Sequence, residues 1–480
     1  MRLGGMHHLM AFIASIGKLF GDGGLMQLLT SVTGVYANDT ARLMLQGKQI
    51  VRAVRGLKLV LEALSHLYLT SAEAWAKSEG VVWQDRDTKN DIDDLQRTFR
   101  AKDMQSSTTI LTHLNISRTA DVLHRFQSVG RSQSATFIFW DNFMDAAHIM
   151  LRLLRAERDD DFDLHLNAVC ETIPYFIVAG RNNYAKFTPV YVAEMKQLQV
   201  DQPSTYNHLA KGGFVVRRSK HLFNCVSTDQ ALEQTVNREA KSQGGVIGFT
   251  KRKGALLRWL MTRHITGSYS EAMKEMCTTA ARADDHEEIR SSRLARDVTD
   301  VDKISDALIS QFQNPFDLET VPSALVNIVT GHIASKTVEE SLTTLQETGR
   351  QKMTRLAEQR LVQSSTCKSF WDAQARVQMP KFADMQKALP SDKKNKLMCS
   401  SEVLFRRLLC VSKTRDIDLR RVLEHEVAAV PPALFNDDGS MHKTSKSDLS
   451  RKLEAICDEI HILPSSSNNT AYLIDVPVFK

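Results

Sequence analysis

Residues 49–77 form a proline-free run in which alanine and leucine recur at helical spacing, and this run leaves few folds open to the chain. Apolar residues three and four positions apart lie on one face of an α-helix. Residues 9–20 and 134–158 show the same spacing, the second with aromatic residues among the leucines. We therefore predict a first helix that starts near His7, a long helix over residues 49–77 and a buried helix over residues 134–158.

The composition is typical of a folded protein. With 480 residues, 42% of them hydrophobic, the chain is long enough for several domains with real cores. Lysine and arginine exceed aspartate and glutamate by 62 to 56, and the resulting formal charge of +6 permits a polyanionic partner without requiring one. No segment approaches the ~20 apolar residues of a membrane helix. The 7 cysteines lie far apart and form no Cys-x-x-Cys motif, which predicts free thiols in a reducing compartment.

Changes of pattern divide the chain further. Residues 208–226 combine a glycine turn with alternating β-branched residues and predict a β-hairpin. After Cys277 the sequence changes to charged helices, which indicates a separate helical module. Prolines and serines gather in residues 429–467, as in a linker, and residues 470–479 form an apolar strand pattern at the end of the chain.

The candidate site lies in a predicted helix where Asp229, Glu233 and Asn237 follow one another at a spacing of four. Side chains four residues apart are neighbours on a helix, so the carboxylates of Asp229 and Glu233 are placed to share a divalent cation. Mg²⁺ or Mn²⁺ held in this way against a scissile phosphate would support phosphoryl transfer, with a third carboxylate from elsewhere. The alternative interpretation is an exposed amphipathic helix in which Asp229 satisfies backbone N–H groups.

Basic residues surround that helix in the sequence. Arg217 and Arg218 precede it, and Lys251, Arg252 and Lys253 follow it after a glycine-rich turn. This cluster suits the backbone of a nucleic acid, and basic residues on a solvated face would give the same pattern. The five residues are our candidates for nucleic-acid binding.

His7 and His8 follow the Gly4–Gly5 pair at the start of the first helix. The exposed N–H groups and the dipole of a helix favour anions at this end, and a structural histidine is the alternative interpretation. The sequence contains no Walker loop, dinucleotide fingerprint, zinc-ligand spacing or nucleophile elbow. These patterns leave the helix with Asp229 and Glu233 as the main candidate for chemistry.

Several stretches of the chain resemble a family of repetitive proteins of mobile-element (transposon-derived) character in animal genomes. They include MRLGGMHHLMAFI, FDLHLNAVCETIPYFIVAGRNNYAKF and STDQALEQTVNREAKSQGGVIGFTKRKGALLRW. The likeness continues through NPFDLETVPSALVNIVTGHIAS to TAYLID and covers nearly all of the chain. Relatives in that family carry sequence before the Gly-Gly-x-His element and after YLID, so the resemblance implies an internal fragment of a larger protein.

The resemblance extends to ribonuclease-H-like transposases, which have a strand–Gly-x-x-His–helix arrangement. It implies that Gly4 to His7 form this element, and that Asp229 or Glu233 supplies the late acidic residue on a helix. His7, Asp229 and Glu233 are therefore the catalytic candidates. The chain departs from the pattern, because many transposases carry aspartate or cysteine where Gly4 stands, and this puts a complete acidic triad in question.

Together these observations predict an α+β, predominantly α-helical fold, with a partial ribonuclease-H-like core followed by a helical module. Residues 1–275 would form the N-terminally truncated transposase-like core, and residues 276–463 the helical module. Residues 464–480 would be a linker and the first strand of a severed nuclease-like domain. The resemblance places Asp475 at the carboxyl end of that strand, where the first metal carboxylate of such a domain lies.

The predicted function is nucleic-acid binding by a protein derived from a mobile element, with an incomplete catalytic set. DNA or RNA is the expected partner, a membrane is not, and Mg²⁺ or Mn²⁺ would serve any catalysis. The expected location is nuclear, or otherwise cytoplasmic. Two alternatives stay open: a domesticated helical interaction protein without a nucleic-acid role, and a divalent-metal-dependent nuclease or strand-transfer enzyme completed by missing segments.

Overall fold

The structure is a computed structural model that describes residues 3–81, 114–218, 223–237, 290–310, 313–360, 376–388 and 418–425, with a few single positions between them. The chain divides into two compact units, Met1–Asp392 and Lys393–Lys480. In the second unit, the structure describes the helix Leu419–Leu423. The elements that follow all belong to the first unit.

Helices make up most of the described first unit. In chain order, the described α-helices of five or more residues are α1 Gly5–Phe20, α2 Asn38–Leu45, α3 Ile50–Ser78, α4 Leu114–Gln133, α5 Ala135–Arg158, α6 Phe162–Val178, α7 Asn182–Asp201, α8 Pro203–His208, α9 Thr228–Leu232, α10 Ser291–Ser310, α11 Lys336–Thr343, α12 Leu345–Arg360 and α13 Phe382–Ala388. The strands β1 Val215–Arg217 and β2 Cys225–Ser227 lie between α8 and α9. A predominantly helical fold is therefore confirmed, whereas a ribonuclease-H-like core is not shown in the described ranges.

The long predicted helices are confirmed, and side-chain caps explain where α5 and the next helix, α6, begin. The Oγ atom of Ser134 accepts a hydrogen bond from the backbone N–H of Phe137 at 3.1 Å, which starts α5. Asp161 accepts one from the backbone N–H of Leu164 at 2.9 Å, which starts α6. Such caps satisfy N–H groups that have no partner inside the helix. α1 begins at Gly5, slightly earlier than predicted.

The core forms where α1, α5 and α6 pack against one another. Phe12, Phe20, Trp140, Phe143 and Phe176 are fully buried there. The rings of Phe20 and Phe143 meet edge to face with centroids 5.6 Å apart, a favoured aromatic geometry. This packing fixes the position of α1, whose amino-terminal end bears the candidate site.

The predicted hairpin is confirmed as a short antiparallel ribbon. Val215 pairs with Ser227, and Arg217 pairs with Cys225. Because β2 runs directly into α9, the hairpin also fixes the position of Asp229. Cys225 is buried, and Cys170 of α6 is a partly buried free thiol.

A largely buried ionic contact holds α10 against α3. The Nε atom of Arg55 donates to Oδ1 of Asp297 at 2.8 Å, and its Nη2 atom donates to Oδ2 of Asp300 at 2.5 Å. The boundary predicted near residue 275 lies outside the described residues, and helices from both sides of it belong to the first unit.

Some predicted features cannot be placed. The proline- and serine-rich stretch and the final strand pattern with Asp475 lie outside the described residues. In the described ranges, no helix has the length and apolar character needed to cross a lipid bilayer.

Candidate functional site

The carboxylate of Asp229 covers the amino-terminal end of α1. Its Oδ1 atom accepts a hydrogen bond from the backbone N–H of Met6 at 3.1 Å, and Oδ2 accepts one from the backbone N–H of His7 at 2.9 Å. The first N–H groups of an α-helix have no partner within the helix, and Gly4 at the cap position has no side chain to bind them. A residue 222 positions away from His7 in the sequence therefore supplies the cap.

The same carboxylate orients the side chain of His7. Its Oδ2 atom lies 2.8 Å from Nδ1 of the imidazole. An ionised carboxylate only accepts hydrogen bonds, so Nδ1 carries the proton, and in the neutral ring Nε2 carries the lone pair. The His7 side chain is 51% exposed, whereas that of Asp229 is 16% exposed. A histidine held in this way can exchange a proton with a group that approaches from solvent.

Hydrogen bonds keep Asp229 ionised. Burial alone would raise the pKa of its carboxyl, but the backbone N–H groups of His7 and Met6 and the His7 side chain outweigh burial and lower that pKa below its usual range. The negative charge also faces the positive end of the α1 dipole. Asp229 therefore caps the helix and orients His7 with one ionised group.

The Gly4–Gly5 pair is explained by the close approach of two carboxylates. A Cβ atom on Gly4 would lie within 3.0 Å of the carboxylate of Asp229, and one on Gly5 would lie within 3.0 Å of the carboxylate of Glu157. Real side chains do not tolerate contacts this short. The absence of both side chains therefore lets two acidic residues pack at the start of α1.

Glu157, at the end of α5, meets His165 of α6 in the interior. Nδ1 of His165 lies 2.9 Å from Oε1 of Glu157, with the side chains 2% and 8% exposed, respectively. Nε2 of His165 lies 3.2 Å from the hydroxyl oxygen of Tyr191 on α7. The contact with Glu157 lacks hydrogen-bond geometry, and within the described part of the chain neither Glu157 oxygen accepts a hydrogen bond.

This buried pair is not predictable from the sequence. Glu157 stands beside Arg155, Arg158 and Asp159 in a charged stretch that ends a helix, and such stretches are usually solvated. The one local signal is Gly5, since a glycine inside a helix implies a close neighbour. That signal does not say which residue the neighbour is.

His8 is a core residue. Its Nε2 atom lies 3.0 Å from Oγ1 of Thr172, and its ring packs edge-on against Phe176 with centroids 5.0 Å apart. Burial, together with the nearby charge of His165, lowers the pKa of His8 to about 3. His8 therefore has the structural role that was the alternative interpretation for the histidines at the start of α1, whereas His7 faces solvent.

A cavity of about 250 Å³ lies beside the start of α1. Its apolar walls include Leu9 of α1, Val54 of α3 and Leu153 of α5, and Glu157 and His165 also line it. Apolar walls with a few polar groups are typical of a binding site for a small molecule. The arginines that line it are Arg158, Arg218 and Arg293.

Glu233 has a different partner from Asp229. α9 ends at Leu232, and the chain continues as a π-helical turn over Glu233–Asn237, in which Oε1 of Glu233 accepts a hydrogen bond from Nδ2 of Asn237 at 2.8 Å. The helix type changes after one turn, and the carboxylates of Asp229 and Glu233 have different partners, since Asp229 is bound by α1 and Glu233 by Asn237. Within the described ranges, no group of three or more histidine, cysteine, aspartate or glutamate side chains is arranged to hold a metal ion.

Two of the predicted nucleic-acid-binding residues can be placed. Arg217 and Arg218 are exposed at the end of β1. Arg217 forms an ion pair with Asp160, and Arg218 donates a hydrogen bond to the side chain of Gln234. The other three, Lys251 to Lys253, lie outside the described residues.

Comparison with known proteins places the chain in a family without giving it an activity. No curated protein matches the chain. No solved structure matches it either. A family model described as "Domain of unknown function (DUF8702)" matches residues 1–426, a range that contains the Asp229–His7 pair, the Glu157–His165 pair and the cavity. The chain therefore belongs to the DUF8702 family.

Proposed function

We propose that this protein binds nucleic acid and acts on its phosphodiester groups at the Asp229–His7 pair. The contact between these two side chains, 2.8 Å from Oδ2 to Nδ1, carries the proposal. A carboxylate that orients an imidazole is a recurrent arrangement in general acid–base catalysis. The resemblance to mobile-element proteins supports a nucleic acid, DNA or RNA, as the substrate class, and a nuclear location follows from the same resemblance.

The hairpin supplies positive charge near this pair. β2 leads directly into α9 and Asp229, and β1 ends at the exposed Arg217 and Arg218. Guanidinium groups bind phosphate oxygens through paired N–H donors. A strand that contacts these arginines would therefore bring a phosphodiester towards the start of α1.

In the proposed reaction, Nε2 of His7 accepts the proton of a hydroxyl group as its oxygen attacks phosphorus. The bond between phosphorus and the leaving oxygen of the strand breaks, the leaving oxygen takes a proton from solvent, and the imidazolium returns its own proton to solvent. Asp229 stabilises the imidazolium that forms. It stays ionised itself, because the pKa of its carboxyl is lowered. The backbone hydrogen bonds from Met6 and His7 hold the carboxylate in place, so the ring is oriented before substrate arrives.

A divalent ion is not part of this reaction as we propose it. Mg²⁺ or Mn²⁺ shared by Asp229 and Glu233, and a ribonuclease-H-like core around them, are proposals that derive from the resemblance to transposases. The described donors do not fit such a site, since Asp229 is bound by N–H groups of α1 and Glu233 by Asn237. We therefore derive no step through a metal.

A gel-shift series with DNA and RNA at increasing salt tests binding. We expect affinity to fall with salt, because bound phosphates release their counterions. Replacing both Arg217 and Arg218 with alanine should weaken binding to all sequences alike and reduce the salt slope by about two. Arg152→Ala is the matched control, since Arg152 is also an exposed, ion-paired arginine but lies on α5. Affinity that is absent at every salt concentration would favour a helical interaction protein instead.

A strand-cleavage assay with His7→Gln tests catalysis. Glutamine keeps a polar side chain but cannot act as a base, so we expect cleavage to fall by about 10²–10⁴-fold while binding stays the same. Cleavage that survives this substitution removes His7 from the reaction. The same assay with and without Mg²⁺ or Mn²⁺ decides whether a metal is needed.

A further inference from the structure

Four basic side chains gather where α1 and α6 end. They are Lys18, Arg181, Arg376 and Lys381, and we call them the basic cluster. Burial lowers the pKa of the Lys18 ammonium below its usual range, and the positive charges of the other three lower it further. Since exposed charges act only over short distances in salt solution, the four groups lie close together.

Close backbone contacts hold the basic cluster in place. Nζ of Lys18 donates a hydrogen bond to the backbone oxygen of Ala179 at 2.7 Å, just beyond the end of α6. A Cβ atom on Gly180 would lie 3.5 Å from that Nζ atom and 3.2 Å from the backbone oxygen of Val377. The residue after Gly180 and the residue before Val377 are the two arginines of the cluster. Separate segments of the chain therefore bring their basic side chains to one place.

The basic cluster has a surplus of positive charge. Nζ of Lys381 lies 3.1 Å from Oδ2 of Asp22, and the charge of Asp384 also acts on the cluster. Four positive charges against these two negative ones leave an excess of two. Within the described residues, Nε of Arg181 is buried and donates no hydrogen bond, and Arg376 is exposed. Guanidinium N–H groups of this kind bind phosphate oxygens.

α1 and α6 run side by side in the same direction. Nε2 of His8 lies 3.0 Å from Oγ1 of Thr172 inside α6, whereas Lys18 reaches Ala179 beyond its end. His7 therefore lies alongside α6, and the basic cluster lies at the carboxyl-terminal end of that helix.

The hairpin arginines lie at the other end of α6. Arg217 forms an ion pair with Asp160, two residues before α6 begins. An α-helix rises about 1.5 Å per residue, so the 17 residues of α6 separate the two basic regions by roughly 25 Å. The Asp229–His7 pair lies between them.

Tyr184 connects the Asp229–His7 pair with the basic cluster. Its hydroxyl donates a hydrogen bond to the backbone oxygen of His7 at 3.2 Å, and its ring stacks on Phe176 with centroids 5.0 Å apart. Arg181 stands three residues earlier, at the start of α7. Burial and the charge of Asp229 raise the pKa of the Tyr184 hydroxyl, and the charge of Arg181 opposes this rise. Tyr184 is therefore close to both sites.

We propose that the two basic regions and the Asp229–His7 pair form one path for the phosphate backbone of a nucleic-acid strand. The hairpin arginines bind the strand at one end, the basic cluster binds it at the other, and the reacting phosphodiester lies over His7. Phosphates follow one another every 3.4 Å along a strand of a duplex, so roughly 25 Å corresponds to about seven nucleotides, and to fewer in an extended strand. This inference rests on the proposed function and adds a second anchor and a minimum strand length to it.

Fluorescence anisotropy with labelled oligothymidylates tests whether one strand contacts both regions. A strand of about 3 nucleotides reaches only one region, whereas one of about 12 spans both, so we expect the longer strand to bind about 10²–10⁴-fold more tightly. An increase no larger than the statistical gain from additional placements along the strand would show two separate anion sites and overturn the path.

The double variant Arg181→Ala, Arg376→Ala tests the basic cluster. On the long strand we expect the slope of log affinity against log salt to fall by about 1.4, because each phosphate contact of a single strand contributes about 0.7. The gain of the long strand over the short one should disappear. The matched control replaces Arg118 and Arg152 with alanine, since these are exposed arginines on α4 and α5 and their loss changes the net charge equally.

Thermal melting checks that the double variant folds. If the change at Arg181 prevents folding, Arg376→Ala alone decides, because Arg376 is exposed and lies outside the helices. This single variant should lower the salt slope by about 0.7. A slope equal to that of the unaltered protein would overturn the second anchor.

Comparison with the variant that lacks Arg217 and Arg218 separates this inference from the proposed function. Weaker binding of the long strand in both double variants supports the path. Weaker binding in the hairpin variant alone keeps the proposed function and overturns the second anchor, and weaker binding in the cluster variant alone overturns a path that includes the hairpin. If the unaltered protein has no salt-dependent affinity for any strand, the proposed function and this inference both fail.

Discussion

The two glycines at the start of α1 lie against different acidic side chains, so the effect of each glycine can be tested separately. Gly4→Ala would push a methyl group into Asp229, and Gly5→Ala would push one into Glu157. We expect each to lower the free energy of unfolding by about 1–3 kcal/mol, as other overpacked substitutions do. Gly21→Ala, at the other end of α1, is the control. Its added Cβ would meet its nearest atom at 3.7 Å, and urea unfolding should show a change within about 0.5 kcal/mol.

His8 should make stability depend on pH. Its pKa falls from 6.5 to about 3 on folding. At pH values between these two, the unfolded chain therefore binds a proton at His8 more readily than the folded chain does. The free energy of unfolding should therefore decrease as the pH falls from about 6.5 to about 3, by about 1.4 kcal/mol per unit in this window. The neighbouring charges are His165 and Asp229.

The variant His8→Gln isolates this contribution. Urea unfolding between about pH 7 and about pH 5 should give a flatter profile for the variant than for the unaltered protein, because glutamine does not titrate. A slope that is the same in both proteins would assign the pH dependence to other groups.

Among individual residues, the sequence identifies some members of the site but not the contacts between them. His7 and Asp229 each stand out by local position, one after a glycine pair and one at the start of a helix. Spacing rules detect neighbours three or four residues apart, whereas these two are 222 apart. Glu157 and His165 have no signature among their own sequence neighbours, because burial of an acid–histidine pair depends on how α5 and α6 pack.

Among the elements, α1 depends on a cap from outside its own sequence. Asp229→Ala should destabilise the protein by about 0.5–2 kcal/mol for the lost cap, measured by urea unfolding. Asp229→Asn should cost less, because the amide oxygen still accepts one hydrogen bond. Asp161→Ala, which removes an ordinary local cap from α6, provides the comparison. An Asp229→Ala variant as stable as the unaltered protein would show that the cap contributes little.

The pairing of α3 with α10 depends on Arg55. Arg55→Met would leave Asp297 and Asp300 largely buried without their main partner, and we expect a loss of about 3–5 kcal/mol. Arg152→Met breaks an exposed pair with Glu171 and should cost less than about 1 kcal/mol. Equal losses in the two variants would mean that burial of the Arg55 cluster has no special effect.

Elements could be predicted from the sequence where the apolar spacing is regular or where a glycine turn joins alternating β-branched residues. The helices α3 and α5 have the first signal and the hairpin has the second, and all three are confirmed. The change from α-helix to π-helix after Leu232 was not predicted, because a spacing of four in Asp229, Glu233 and Asn237 looks the same through either. The hydrogen bond from Asn237 to Glu233 accompanies the wider turn.

For the whole molecule, the core cluster includes residues from both sides of the composition change after Cys277. The helices α10 and α12 follow that point and still bury Ile304, Leu308 and Leu345 in the same core cluster as α1 and α5. Charge patterns report which helix faces meet solvent, and a helix with one charged face can still pack on the main core.

Truncation tests the extent of the first unit. A chain that ends at Asp392 should keep the cooperative thermal unfolding of the first unit, because all of that unit is retained. A chain that ends at residue 275 should lose it, since α3, α5 and α6 would expose the faces that α10, α11 and α12 cover. Circular dichroism melting curves of the two chains provide the measurement. Cooperative unfolding of the shorter chain would support the domain boundary predicted from sequence.

The cap on α1 has a consequence for how the protein is made. During synthesis His7 leaves the ribosome long before Asp229, which follows 222 residues later. At ordinary elongation rates this interval is roughly 10–45 s. Throughout it, the first turn of α1 has bare N–H groups and His7 has no carboxylate to orient it. The surface that we propose for chemistry is therefore assembled only after Asp229 has been translated.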